Sequence, residues 1–257
     1  YDAYSTPMNR LFAEEVLDRL DLGFDVRLLD VACGSGALAI PAARRGARVV
    51  GVDLAPAMIE RLLFRACTER LPAVTGKAMN GESLGFPDDT FDVTASQNGI
   101  SQFENVEAGL REAVRVTKPG GAVLIIAFGS PQRVEFTAFV DAALRATVPG
   151  LTPPRNSPSP LFQLGDPHLF SRRLAEAGLT DVRVDSTTWE VTCRTADHLW
   201  DITTASHPMS AHLTNNLAGE QRDRAKRILN GMLRERSGGT PQAVLRNEMN
   251  IGLGRKP

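Results

Sequence analysis

Two acids and a run of small residues carry the chemistry that this sequence announces. Asp30 lies in an apolar stretch that runs into Ala32-Cys33-Gly34-Ser35-Gly36, and a second acid, Asp53, follows 17 residues after Gly36. Gly34 and Gly36 remove side chains where a ligand could approach the backbone. A helix starting near Ala37 would point its free N–H groups at the same place. A carboxylate at the end of the next strand can accept both hydroxyls of a ribose. This is binding chemistry. The chain offers no nucleophile triad, no HExxH and no Cys-His pair.

Such residues must be held by a strand-turn-helix unit, and the surrounding sequence supplies one. VRLLDVA reads as a buried strand, ALAIPAARRG as a helix, ARVVGVD as a strand, and PAMIERLLFRACTE as a helix with Pro56 in its first turn. AVTGKAM and FDVTASQ are further strands, NVEAGLREAVRVT a helix, and GAVLIIAF the clearest strand. A Pro119-Gly120-Gly121 turn is expected between that helix and strand. The alternation predicts an α/β fold with a doubly wound, mostly parallel sheet. HLFSRRLAEAGL predicts a helix, DVRVDSTTWEV a strand, 196–237 two helices broken near His207-Pro208, and AVLRNEMNIGLG a closing strand. The Pro/Ser-rich stretch at 148–165 predicts a surface excursion.

The bulk numbers exclude several classes. With 257 residues and a formal charge of -1, the chain fits one domain and lacks the basic excess of a nucleic-acid binder. No apolar run approaches the roughly 20 residues of a membrane span. The three cysteines, Cys33, Cys67 and Cys193, are dispersed and odd in number. Neither a disulfide framework nor a metal site is expected, and a cytoplasmic setting fits. Asp88, Asp89 and Asp92 read as turn formers rather than a metal cluster.

Two ligands fit the glycine turn on its own: a dinucleotide, since Gly34 to Ala39 satisfies GxGxxA, and S-adenosylmethionine. Four ordered pieces decide between them: LLDVACGSG, VVGVDLAPAMIERL, LGFPDDTFDVTASQ and REAVRVTKPGGAVLIIAF. Together they resemble the class I S-adenosylmethionine-dependent methyltransferases, within the group of ubiquinone/menaquinone-type and small-molecule enzymes. The resemblance is strong over about residues 1–130 and weak beyond. It implies a seven-stranded Rossmann-like sheet whose last strand is antiparallel, plus a helical cap. The core would cover about 24–130, 166–193 and 242–257, and the cap additions about 1–22, 131–165 and 194–238.

The resemblance also implies roles. Asp30 and the turn of Ala32, Cys33, Gly34 and Gly36 look like the receiver of the methionine part. Ala32 stands where the family usually has its first glycine. Asp53 looks like the ribose acceptor, and Leu54 and Met58 like apolar contacts to adenine, although i, i+4 spacing also fits a core helix. Where the family often has Asp facing the adenine amine, this chain has Asn80-Gly81-Glu82, so Asn80 or Glu82 would take that contact. Gln97, ending the fourth strand, would line the transfer site.

The expected reaction is methyl transfer to a small organic acceptor, a secondary metabolite or quinone-like ring, with S-adenosyl-L-homocysteine as product. A related enzyme that keeps the cofactor for a non-methyl reaction such as cyclisation is the first alternative, and an NAD(P)-dependent oxidoreductase the second. A hydroxyl acceptor would benefit from a base, because a phenol has a pKa near 10; His207 and His212 are the candidates. Tyr4, Phe162 and Trp200 are the expected substrate contacts, with Phe128, Phe170 and Trp189 as further aromatic candidates. The partner is a small molecule, with no nucleic acid and no membrane. The cap would also serve as a homodimer surface.

Overall fold

The computed structural model describes residues 5–148, 159–206, 214, 217–240 and 242–257. Seven strands form one sheet: β1 Arg27–Val31, β2 Arg48–Asp53, β3 Val74–Ala78, β4 Phe91–Gln97, β5 Thr117–Phe128, β6 Thr180–Cys193 and β7 Ala243–Arg255. Their order is β3-β2-β1-β4-β5-β7-β6. All neighbouring pairs are parallel except those made by β7, which runs antiparallel to both β5 and β6. The expected architecture is therefore the observed one.

Alternation along each strand sends side chains to two apolar layers. From β1, Leu28 enters one layer, and Leu29 and Val31 enter the other. The first layer is covered by α1 (Ser5–Leu17), α2 (Ala39–Arg44), α3 (Pro56–Thr68), α5 (Glu135–Thr147), α7 (Ala196–Ser206) and α8 (Gly219–Arg236). The second is covered by α4 (Val106–Val116) and α6 (Pro167–Glu176). α4 is capped by Asn105, whose side chain accepts from the Ala108 N–H at 2.8 Å. Asp166 does the same for α6, accepting from the N–H groups of His168 and Leu169. His168 therefore sits in the first turn of that helix and is exposed.

One local difference from the sequence reading has a simple cause. Pro119-Gly120-Gly121 lies inside β5: Thr117 pairs with Phe91, then Ala122 with Val93, so the intervening residues bulge out of register. The Gly120 N–H donates to the Lys256 carbonyl at 2.7 Å, which ties the bulge to the chain after β7. Asp88 and Asp89 form the expected turn before β4, and the acids there also make ion pairs that hold this end of the sheet, Asp88 with Arg115, Asp89 with Lys256 and Asp92 with Lys118.

The strand order reverses between β1 and β4, because the chain first winds outward to β3 and then returns to β4. A crevice must open at that point, beyond the strands' carboxyl ends. Val31, Asp53 and Gln97 are the last residues of β1, β2 and β4.

Candidate functional site

The turn after β1 is held in an unusual backbone shape. Ala32, Gly34 and Gly36 have φ values of 55°, 53° and 88°. Glycine takes that region freely, whereas Ala32 does so at a steric cost. The Cys33 N–H donates to the Val52 carbonyl at 2.9 Å, stitching the turn to β2. A Cβ on Gly36 would lie 2.5 Å from Leu62 Cδ1, so bareness here also lets α3 pack. Gly51 in β2 serves the same packing, since its Cβ would meet Leu62 Cδ2 at 2.5 Å and Cys33 Sγ at 2.9 Å. The sequence reading passed over Gly51, although glycine inside a buried strand signals close approach.

Asp53 is fixed by this turn. Its Oδ2 accepts the Gly34 N–H and its Oδ1 accepts the Ala55 N–H, both at 2.9 Å. Each carboxylate oxygen keeps a further lone pair for an incoming hydroxyl. Asp30 is 1% exposed and accepts the backbone N–H of Ala39. The helix after the turn thus starts at Ala39 rather than near Ala37, and one of its N–H groups is already taken. The other oxygen of Asp30, Oδ2, is buried without a partner. Burial pushes the Asp30 carboxyl up to about 8, and the nearby charge of Asp53 adds to the rise. Burial likewise lifts the Cys33 thiol, which leaves it an unreactive wall group.

A raised carboxyl pKa has a definite consequence for stability. Between the unfolded value of 3.8 and the folded value of about 8, the folded chain holds a proton that the unfolded chain has lost. Stability contributed by this group is therefore present at low pH and lost as pH rises through that window. Melting curves of the wild-type chain and Asp30→Asn, compared from pH 5 to pH 8.5 without ligand, should diverge in favour of the variant at the alkaline end. Parallel curves would show that Asp30 is ionised in the fold.

The turn, Asp30 and Asp53 line a cavity of about 440 Å³, within the usual range for small-molecule sites. Leu54 and Met58 also line it, and Leu54 is 75% exposed, so it is not a core residue. A second recess of about 400 Å³ shares Ala32, Asp53 and Leu54 and extends to Asn80, Gly81 and Glu82. There Asn80 Oδ1 accepts the Glu82 N–H, and Glu82 Oε1 accepts the Asn105 N–H, each at 2.9 Å. Gly81 is bare because Phe103 leans on it: a Cβ would sit 2.5 Å from the ring.

At the other end of the cavity, Gln97 Nε2 donates to the Asn9 carbonyl at 3.0 Å, which seats α1 over the strand ends. Asn98 follows with φ 56°, a left-handed residue at a strand terminus. The remaining wall is apolar: Phe128, Phe136, Trp189, Val191, Leu199 and Ile202. Phe128 and Phe136 meet at 5.2 Å between ring centroids, and Trp189 meets Phe12 of α1 at 5.9 Å.

The predicted residues divide cleanly by location. Asp30, Ala32, Cys33, Gly34, Asp53, Leu54, Met58 and Gln97 come together in the main cavity, and Asn80, Gly81 and Glu82 in the recess beside it. Gly36 is in neither lining and shapes the turn from behind. Trp200 is 5% exposed in the core under Lys226, whose Nζ lies 5.7 Å from its ring centroid, and it does not line the cavity. Phe162 is half-buried against the same core and is also absent from the lining. The helical period that brings Leu199 and Ile202 of α7 to the cavity turns Trp200 away. Phe170 is buried in the opposite layer. Tyr4, His207 and His212 lie outside the described residues. Asn9, Asn98, Gln102, Phe103 and Phe136 line the site without having been singled out in the sequence. They come from a helix, loops and a cap segment whose approach no local pattern reveals.

A family model described as a methyltransferase domain matches residues 29–125. An uncharacterized protein of Mycobacterium tuberculosis is 38% identical over 126 residues, which is 46% of each chain. The match therefore spans about half the length of that curated relative. A demethylmenaquinone methyltransferase of Streptomyces griseus is 31% identical over 166 residues, covering 64% of this chain and 70% of the other. The crystal structure of the YcgJ protein from a Bacillus superposes with a TM-score of 0.63 at 18% identity, covering 96% of this chain and 98% of that one. At that identity it supports the fold alone.

Proposed function

Because this chain belongs to the class I S-adenosylmethionine-dependent methyltransferases, we propose that it transfers a methyl group from that cofactor to a small organic acceptor. The single observation that carries the reading is the Asp53 carboxylate, locked by two backbone N–H groups with lone pairs left over at the mouth of a bare-backbone turn. The residues fit the cofactor on a second count: Asp30 keeps a buried oxygen with no partner, which suits a donor such as an ammonium. Leu54 and Met58 offer apolar surface for the base, and Asn80 or Glu82 can accept from its amine with the lone pairs left by their local bonds.

When bound, S-adenosylmethionine supplies an electrophilic sulfonium methyl, which an acceptor lone pair takes in line while the S–CH3 electron pair stays on sulfur. The protein's part is placement. Gln97 ties α1 across the strand ends, and the aromatic wall excludes water and orients the acceptor. Well-oriented approach is worth roughly 7–11 kcal/mol of barrier. His207 and His212 remain candidates for a base toward a hydroxyl acceptor. The cap helices remain a candidate dimer surface, and a cytoplasmic location goes with the reading. No helix among the described residues is long and apolar enough to cross a membrane.

The decisive test uses methyl-labelled cofactor with a panel of aromatic and quinone-like alcohols. A product heavier by one labelled methyl, together with S-adenosylhomocysteine, is the expected result. A product of altered connectivity without the label would establish the cyclase-type alternative, and turnover of NADH or NADPH the oxidoreductase one.

A further inference from the structure

Asn247 of β7 is a polar residue at a core position. Alternation along the strand puts it on the face that carries Ala243, Leu245, Met249 and Ile251, all in the first apolar layer, and it is 0% exposed. An amide buried there is costly unless its groups are bonded. Its Oδ1 accepts the Phe136 N–H at 3.1 Å. Its Nδ2 donates to the Leu245 carbonyl at 3.3 Å and, in a long bond, to the Trp189 carbonyl at 3.4 Å. Flipping the amide would set its oxygen against two carbonyls and its NH2 against an N–H, so the network fixes its orientation.

The bond to Phe136 serves a need that α5 cannot meet from its own start. The Phe136 N–H is an orphan donor of the first helical turn, and Val134, the residue before the helix, makes no side-chain cap. Neighbouring groups of β7 hold the same junction. The Arg246 N–H donates to Glu135 Oε2 at 2.7 Å, Glu248 Oε1 accepts the Ser130 N–H at 3.1 Å, and Asn247 itself forms a β-bridge with Val134. Asn247 differs from these neighbours in being fully buried and in bonding the backbone of two residues whose side chains line the main cavity, Phe136 and Trp189.

Those two residues come from α5 and β6, elements far apart in the chain, and one amide fixes where their backbones sit relative to each other. Contacts between aromatic rings depend on their separation and tilt. We propose that Asn247 is a positioning residue for acceptor choice: it holds Phe136 and Trp189 at the spacing that favours a flat aromatic acceptor over a saturated ring of the same skeleton. This rests on the methyltransferase reading and deepens it. Asn247 lines neither the main cavity nor the recess beside it, so it acts through two residues that do line the cavity.

The test is equilibrium dialysis of 2-naphthol and its saturated counterpart, decahydro-2-naphthol, against protein saturated with S-adenosylhomocysteine. The wild-type chain is compared with Asn247→Leu and Asn247→Ser. Leucine is close to the amide in shape and makes neither bond; serine keeps one oxygen but is too short to span both partners. Melting curves show which proteins are folded, and calorimetry gives their affinity for S-adenosylhomocysteine. The wild-type chain should prefer the flat ring by about tenfold. In each folded variant that preference should fall to about threefold or less, with affinity for S-adenosylhomocysteine within about threefold of wild type. A variant that melts earlier but keeps the full preference would overturn the proposal. Equal or absent binding of the two probes by the wild-type chain would do the same. So would loss of the fold in both variants, which would make Asn247 a core residue and nothing more. Failure of S-adenosylhomocysteine to bind the wild-type chain would instead remove the reading beneath it.

Discussion

Asp53→Ala should weaken S-adenosylhomocysteine binding by about 100-fold or more. On the proposed reading this carboxylate accepts both ribose hydroxyls, and hydrogen bonds to a charged group contribute about 1.5–3 kcal/mol each. Two of them convert to at least two powers of ten in affinity. The substitution also frees the Gly34 and Ala55 N–H groups, now held at 2.9 Å, so the turn itself should loosen. Asp53→Asn separates the two effects, because an amide keeps one acceptor oxygen near the turn while giving up the charge. Calorimetric titration of all three proteins, with melting curves to show that each is folded, gives the measurement. Affinity within threefold of wild type for Asp53→Ala would mean that the ribose is held elsewhere.

Gly36→Val should have the largest effect on the fold. The residue has φ 88°, where a β-branched side chain is a severe outlier, and its Cβ would press on Leu62 at 2.5 Å and Ile40 at 3.1 Å. Backbone strain and overpacking each cost about 1–3 kcal/mol, so a loss of about 3–5 kcal/mol is expected. Ala32→Gly is the informative partner. That alanine already has φ 55°, so glycine relieves strain while adding freedom to the unfolded chain, and the net change should stay below about 1 kcal/mol. Urea midpoints would show the contrast. A wild-type midpoint for Gly36→Val would mean that the turn does not hold this shape in solution.

The two substitutions probe features that were legible in the sequence for different reasons. The glycine turn and Asp53 lie close together along the chain, in one β-α-β unit, and their residue types are tied to backbone shape and ribose chemistry. The sheet could be read because strands and helices alternate with distinct periodicity as far as Phe128. The acceptor side is legible only in part: of its aromatic candidates, Phe128 and Trp189 line the cavity, whereas Phe162, Phe170 and Trp200 do not. Trp189 and Val191 reach the cavity only because β6 extends to Cys193 and pairs with β7 along its length, a contact between segments about 50 residues apart. Phe136 arrives from α5 and Leu199 from α7, two helices with no sequence motif. Trp200 shows the limit of composition: a tryptophan one residue from the cavity wall faces the core instead. Phe103 packs against Gly81 and Gly109, whose Cβ atoms would each lie 2.5 Å from its ring, and nothing in the sequence pairs those positions.

The acids behave differently from one another despite their similar place at strand ends. Asp53 is held by two N–H groups at the cavity mouth, whereas Asp30 is buried with one oxygen unpaired and its carboxyl pushed up to about 8. On the proposed reading, a cationic donor placed beside Asp30 would favour its ionised form and bring the carboxyl back down.

The most direct measurement is a crystal structure of the complex with S-adenosylhomocysteine. It should show the ribose hydroxyls on the Asp53 carboxylate, the amino-acid end beside Asp30 and the glycine turn, and the sulfur opening toward Gln97 and the aromatic wall. Nucleoside density at any other place, or none at saturating concentration, would contradict the account.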